Sequence, residues 1–175
     1  MWRSVMALTA TAPETPAEFL LCLAPVTGLR QFSVDLPHEP SSAGRARQIA
    51  RERLAAWGIP QAEGLRDRVV LTISELMSNA IVHGAAGANG APEIALSIRF
   101  LPGVAIGVRV EDRSSAMPVI RESRPTHAVD GRGMQLVASE STCWTAERLG
   151  EGGGKAVWAF FLCLSTCPSS PGCGL

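Results

Sequence analysis

Apolar and polar residues alternate over residues 31–36 (QFSVDL), the period-two pattern of a short strand, and Pro37 and Pro40 stop it. The period then lengthens. Ala46, Ile49, Ala50, Leu54 and Trp57 recur at three- and four-residue spacing while Arg45, Arg47, Glu52 and Arg53 point elsewhere, which predicts a helix capped by Ser41 and ended by Gly58. A second helix is predicted over residues 65–83, closed by Gly84. After residues 85–91 (AAGANGA) the period returns to two. Ile94, Leu96, Ile98 and Phe100 alternate with polar or small residues, Pro102-Gly103 turns the chain, and Val104, Ile106, Val108 and Val110 alternate again, as in an antiparallel hairpin. Residues 113–130 are rich in Ser, Pro, Arg and Glu, too long for a mere connection and therefore read as a functional loop. A short helix over 133–140 and strands over 142–147 and 156–164, joined by the glycine-rich turn 150–154, complete the series.

The order β-α-α-β-β-loop-α-β-β predicts an α/β fold, an α+β two-layer sandwich whose mixed, largely antiparallel sheet carries helices on one face. Residues 1–28 and 165–175 show no clear periodicity, so the expected organisation is a loose N-terminal extension (1–28), one domain (29–164) and a flexible C-terminal tail (165–175). Composition narrows the function classes. With 46% hydrophobic and 18% charged residues the chain is too apolar to be disordered throughout. Sixteen Lys+Arg balance sixteen Asp+Glu, which removes the basic footprint of a nucleic-acid binder, so no nucleic acid is expected. The longest N-terminal apolar run, residues 19–26, is short and sits behind Glu14 and Glu18; neither signal peptide nor membrane span is expected, and the expected compartment is the cytoplasm. The five cysteines lack a CxxC pair or a nearby His, so they read as reduced thiols rather than a zinc site.

Three positions break the periodic patterns. On the second predicted helix, Val69, Ile73, Leu76, Met77 and Ala80 form the core stripe, while Glu75, Asn79 and His83 follow one another at four-residue steps, about 40° apart. The stripe reads either as a solvated face or as the polar lining of a cavity, with Glu75 a general base and Asn79 offering its amide oxygen to a hard cation such as Mg²⁺. Asp112 shares the parity of Val104, Ile106, Val108 and Val110, so a carboxylate continues a buried strand face; it must be paired, hydrogen-bonded or waiting for a ligand such as an amino group on a flat heterocycle. Finally, Asp130-Gly131-Arg132-Gly133-Met134 opens a helix directly after the long loop, where glycines allow close approach and the helix start offers free N–H groups to phosphate; an ordinary turn capped by Asp130 is the plainer alternative.

In order, Ser74-Glu75-Leu76-Met77-Ser78-Asn79-Ala80-Ile81-Val82-His83-Gly84, Val110-Glu111-Asp112, Gly131-Arg132-Gly133-Met134-Gln135-Leu136-Val137 and Gly154-Lys155-Ala156-Val157-Trp158 resemble the N, G1, G2 and final boxes of the gyrase/histidine-kinase ATPase superfamily. The Glu-x3-Asn-x3-His-Gly form most resembles the anti-sigma-factor serine kinases and small stand-alone bacterial ATP-binding relatives. The resemblance implies a Bergerat-type ATP-binding fold with ATP and Mg²⁺ as ligands. It implies Asn79 at the Mg²⁺ site, Glu75 orienting or deprotonating the attacking hydroxyl, and Asp112 accepting from the adenine amino group. Gly131 and Gly133 would meet phosphate, with Arg132, Met134, His83 and Lys155 in the same nucleotide-binding boxes and residues 113–130 as lid. In the kinase members a serine of an anti-anti-sigma protein is phosphorylated and a sigma factor is held inactive; such members commonly form dimers. His83 reads as capping its own helix or packing beside the pocket. Where the family's G1 box is Asp-x-Gly-x-Gly, this chain has Asp112-Arg113-Ser114-Ser115-Ala116, and after its last glycine comes Lys155 rather than Ser or Thr. A nucleotide-binding interaction module with little or no kinase activity is the alternative that these departures leave open.

Overall fold

The computed structural model describes residues 12–59, 64–84, 93–119, 132–150 and 153–163. Helix α1 (Pro16–Cys22) precedes strand β1 (Arg30–Pro37) and helices α2 (Ser41–Ala56) and α3 (Leu65–His83). Strands β2 (Glu93–Leu101) and β3 (Ala105–Asp112), helix α4 (Gly133–Glu140), and strands β4 (Cys143–Arg148) and β5 (Lys155–Leu162) follow. The strands form one five-stranded sheet in the order β1-β2-β3-β5-β4, and every neighbouring pair is antiparallel.

The predicted period-two positions line one face of that sheet. Leu36, Ile94, Leu96, Ile98, Ile106, Val108, Ala159 and Phe161 are buried against Ala46, Ala50 and Leu54 of α2, Val69, Ile73, Met77 and Ala80 of α3, and Val137 of α4. This is the expected two-layer sandwich, and its core joins alternating strand residues to helix residues three and four apart. Two local details differ from expectation. Ser41 lies inside the first turn of α2 rather than capping it; Pro40 is the N-cap and makes no side-chain cap bond, while the Ser42 hydroxyl ties the turn back to the Pro37 carbonyl. At the other end of the chain's helical layer, Gly84 does close α3, its N–H donating to Ala80 O at 2.8 Å, but in an extended rather than a left-handed conformation.

The larger difference is at the N-terminus. Within the extension expected to be loose, Thr15-Pro16-Ala17-Glu18 forms a capping box: the Thr15 hydroxyl accepts from the Glu18 N–H, and the Glu18 carboxylate accepts from the Thr15 N–H at 2.9 Å. Pro16 occupies the first turn, where its missing N–H costs nothing. The helix so started lies on the sheet face opposite the other three. Phe19 and Leu23 are completely buried there with Ala105, Trp158 and Phe160, and the Phe19 ring stacks on Phe160 at 5.1 Å between centroids. Beside them Trp158 lies between the guanidinium groups of Arg99 and Arg109, each 5.4 Å from its ring centroid. The C-terminal tail expected at 165–175 lies outside the described residues, as do the glycine-containing loop 85–91 and most of the loop 113–130.

Phe19→Ala is expected to lower stability by about 3 kcal/mol or more, because it removes a fully buried ring and leaves a cavity under α1. Chemical denaturation with fluorescence detection measures this; a loss below about 1 kcal/mol would mean that α1 does not contribute its docked contacts to the folded state.

Candidate functional site

The sequence-predicted residues gather into two groups. The first is built on α3. Burial of Val69, Ile73, Leu76, Met77 and Ala80 against the sheet sets the rotation of this helix, and Glu75 and Asn79 consequently stand half-buried at the rim of the core. Helix α4 begins directly above them. A Cβ placed on Gly133 would lie 3.0 Å from Glu75 Oε2, 3.2 Å from Asn79 Oδ1 and 3.3 Å from Asn79 Nδ2. A side chain at this position would have to push the carboxylate and the amide aside by a few tenths of an ångström, whereas glycine lets the α4 start come this close unopposed. That helix start is also the positive end of the α4 dipole, the end to which an anion is drawn. Asn79 Nδ2 is itself buried without a hydrogen-bond partner among the described residues, an amide poised for a group that the chain does not supply.

The remaining predicted residues of this group divide. Met134 is buried in the core cluster, where its side chain holds α4 onto the sheet. Arg132 is exposed at the N-cap position of α4. Gly131 and Asp130 lie outside the described residues. His83 is exposed at the end of α3. The imidazole that meets a carbonyl of this last turn is that of His38, whose Nε2 is 3.1 Å from the Ala80 carbonyl oxygen, a contact between residues 42 apart that periodicity does not report.

The second group lies at the end of β3. Asp112 is buried, as its parity implies, and it is paired: Oδ1 accepts from Lys155 Nζ at 2.8 Å and from the Ser114 N–H at 2.8 Å. Lys155 stands directly opposite Asp112 in the β3–β5 register. Its ammonium is therefore committed to the carboxylate of the G1-like box, a partnership that the motif alone does not reveal. The Ser114 hydroxyl accepts from the Ala116 N–H, and Arg148 donates to the Ser115 carbonyl from β4.

These residues suit a nucleotide with a metal ion in unequal ways. Gly133 at the start of α4 and the Asn79 amide, whose Nδ2 is unpartnered among the described residues, fit a polyphosphate. The Asn79 amide oxygen beside them fits a hard cation shared with phosphate oxygens, as Mg²⁺ commonly is. The base end offers the Asp112 carboxylate with one oxygen already engaged.

A two-layer sandwich with a helix start seated on a carboxylate–amide pair defines the class. The model of the histidine kinase-like ATPase domain matches residues 36–160, and the chain belongs to that family. Among solved structures, the RsbU and RsbW domains of Rv1364c from Mycobacterium tuberculosis share the fold at a TM-score of 0.55 and 19% identity, covering 76% of this chain and 32% of that one. The chain thus spans about a third of that structure's length. No curated protein matches the chain.

Gly133→Ala is expected to weaken ATP binding at least about tenfold by driving a methyl group into Glu75 and Asn79, with little change in melting temperature because alanine suits a helix start. Isothermal titration beside a thermal melt tests it; unaltered affinity would place the phosphates elsewhere.

Proposed function

We propose that the chain is an ATP- and Mg²⁺-dependent serine/threonine protein kinase of the anti-sigma regulatory type, which phosphorylates a serine of an anti-anti-sigma protein and sequesters a sigma factor. The observation that carries this reading is the seating of Gly133 on Glu75 and Asn79. It puts a carboxylate able to accept a proton, an amide whose Nδ2 is unpartnered among the described residues and the positive end of a helix in one place. In the proposed reaction the partner's serine oxygen forms a bond to the γ-phosphorus as the bond to the β–γ bridging oxygen breaks, and the hydroxyl proton passes to the Glu75 carboxylate. ADP and phosphoserine are the products. Mg²⁺, held by the Asn79 amide oxygen and the phosphates, would supply charge neutralisation. The remaining work is positioning, which the α3–α4 contact does through packing.

The domain match to histidine kinase-like ATPases and the fold shared with a structure containing an RsbW domain support this reading. No described helix is long and apolar enough to cross a membrane. A homodimer is proposed by the resemblance to dimeric kinases. A second reading has its own support. Asp112 is already engaged by Lys155 in a glycine-free loop, which favours a nucleotide-binding interaction module that transfers little or no phosphate.

Incubation with labelled ATP, Mg²⁺ and candidate anti-anti-sigma proteins separates the two. Acceptor phosphorylation that falls about a hundredfold or more in Glu75→Ala is the outcome expected of the kinase; nucleotide binding with no transfer to any acceptor favours the binding module. Titration of a fluorescent ATP analogue is expected to give clear binding by the wild type and a marked loss in Asn79→Ala. Identical, negligible binding by both proteins would remove the ATP site altogether.

A further inference from the structure

The two places where this sequence departs from the family pattern, the glycine-free G1-like loop and the lysine of the final box, meet in space at Asp112. Oδ1 of that residue receives both Lys155 Nζ and the Ser114 N–H at 2.8 Å. From the far side, Gly154 takes a φ of +124°, and a Cβ there would lie 2.6 Å from the Asp112 carbonyl oxygen and 3.3 Å from Arg113 Cα. The turn between β4 and β5 is thus pressed onto the segment that leaves β3, and Arg148 adds a 2.9 Å bond to the Ser115 carbonyl. Flexibility that the family pattern assigns to glycines is absent here; the loop is braced instead by the neighbouring strands.

The ion pair is almost fully withdrawn from water, with the two side chains 6% and 4% exposed. An ammonium and a carboxylate so placed cannot separate without leaving a buried charge unmatched, so the pair holds its geometry. Among the described residues both donors fall on Oδ1. The carboxylate cannot turn about its last bond without breaking a charged hydrogen bond, which leaves Oδ2 in one fixed orientation as a pure acceptor. A fixed acceptor discriminates between bases: it favours the exocyclic amino group of adenine and repels the carbonyl that hypoxanthine carries at the same position.

We propose that Lys155 is a positioning residue that sets the base selectivity of the nucleotide site, acting through Asp112. The proposal rests on the nucleotide-binding reading above and deepens it. Lys155 touches no phosphate in this scheme; its effect passes through the orientation of the carboxylate.

The test compares dissociation constants for ATP and for inosine triphosphate, each with Mg²⁺, by competition against a fluorescent nucleotide analogue on the full chain. The wild type is expected to prefer ATP by about tenfold or more. Lys155→Met keeps the aliphatic stem and removes the ammonium. Its preference is expected to fall towards parity as ATP binds more weakly and inosine triphosphate does not. A purely structural role would weaken both nucleotides alike and leave the ratio unchanged. Lys155→Gln retains an uncharged donor and should give an intermediate ratio; it also serves if the methionine variant does not fold. A folded variant with the wild-type ratio overturns the proposal, and so does failure of both variants to fold, which would assign Lys155 to stability alone. A wild type that binds neither nucleotide sinks the nucleotide-site reading itself, an outcome distinct from binding with unchanged selectivity.

Discussion

Burial of one stripe of α3 is the constraint on which the site depends. Val69, Ile73 and Met77 are fully buried against the sheet and Leu76 and Ala80 nearly so, and each of these side chains other than that of Ala80 contributes roughly 1.5–3 kcal/mol by leaving water. Turning the helix back by one residue would bring Arg68, Thr72, Glu75 and Asn79 into the places of Val69, Ile73, Leu76 and Ala80. Glu75 and Asn79 thus need no interaction of their own to be aimed; apolar side chains elsewhere on the helix aim them. Neighbouring helices add polar ties, from Arg47 of α2 to the Ser74 hydroxyl at 2.8 Å and from Arg68 of α3 to the Glu140 carbonyl at the end of α4 at 2.9 Å. Once α4 is tied down in this way its first residue meets the polar pair, and the absence of a side chain at Gly133 lets the two come together without displacing either.

The two ends of the site are prepared by opposite means. Where the phosphates are proposed to lie, the buried Asn79 Nδ2 is unpartnered among the described residues, so a ligand would satisfy a group that otherwise carries a desolvation cost. At the base end the buried Asp112 is satisfied within the chain by Lys155. A buried ion pair of this kind is weak support for overall stability, because the cost of desolvating both charges offsets much of their attraction. What it supplies is orientation, a rigid carboxylate in a loop that has no glycine to yield. In the proposed kinase this rigidity would hold the base, at the far end of the nucleotide from the transferring groups, and catalysis by positioning is what phosphoryl transfer most requires.

The second face of the sheet explains an otherwise odd strand. β5, KAVWAFFL, is buried at seven consecutive positions, which a strand with one wet face would not be. Val157, Ala159 and Phe161 belong to the main core, whereas Trp158 and Phe160 belong to the smaller one under α1. Both the uninterrupted apolar run in β5 and the Thr-x-x-Glu box ahead of Phe19 are visible in the sequence, and together they are the signal by which α1 and its docking face become legible.

Periodicity and spacing by themselves determined the order and type of the main elements, the buried stripe of α3, the line of Glu75, Asn79 and His83 along it, and the burial of Asp112. These follow from geometry that repeats within a few residues, 3.6 per helical turn or two per strand. Only the tertiary structure decided that Lys155 faces Asp112, that His38 reaches the Ala80 carbonyl on the last turn of α3, and that Gly133 rests on Glu75 and Asn79. Such contacts join residues 42 to 58 positions apart in the chain, through strand register and helix packing. No local repeat encodes them, because register is set by the summed burial of whole elements rather than by any one residue.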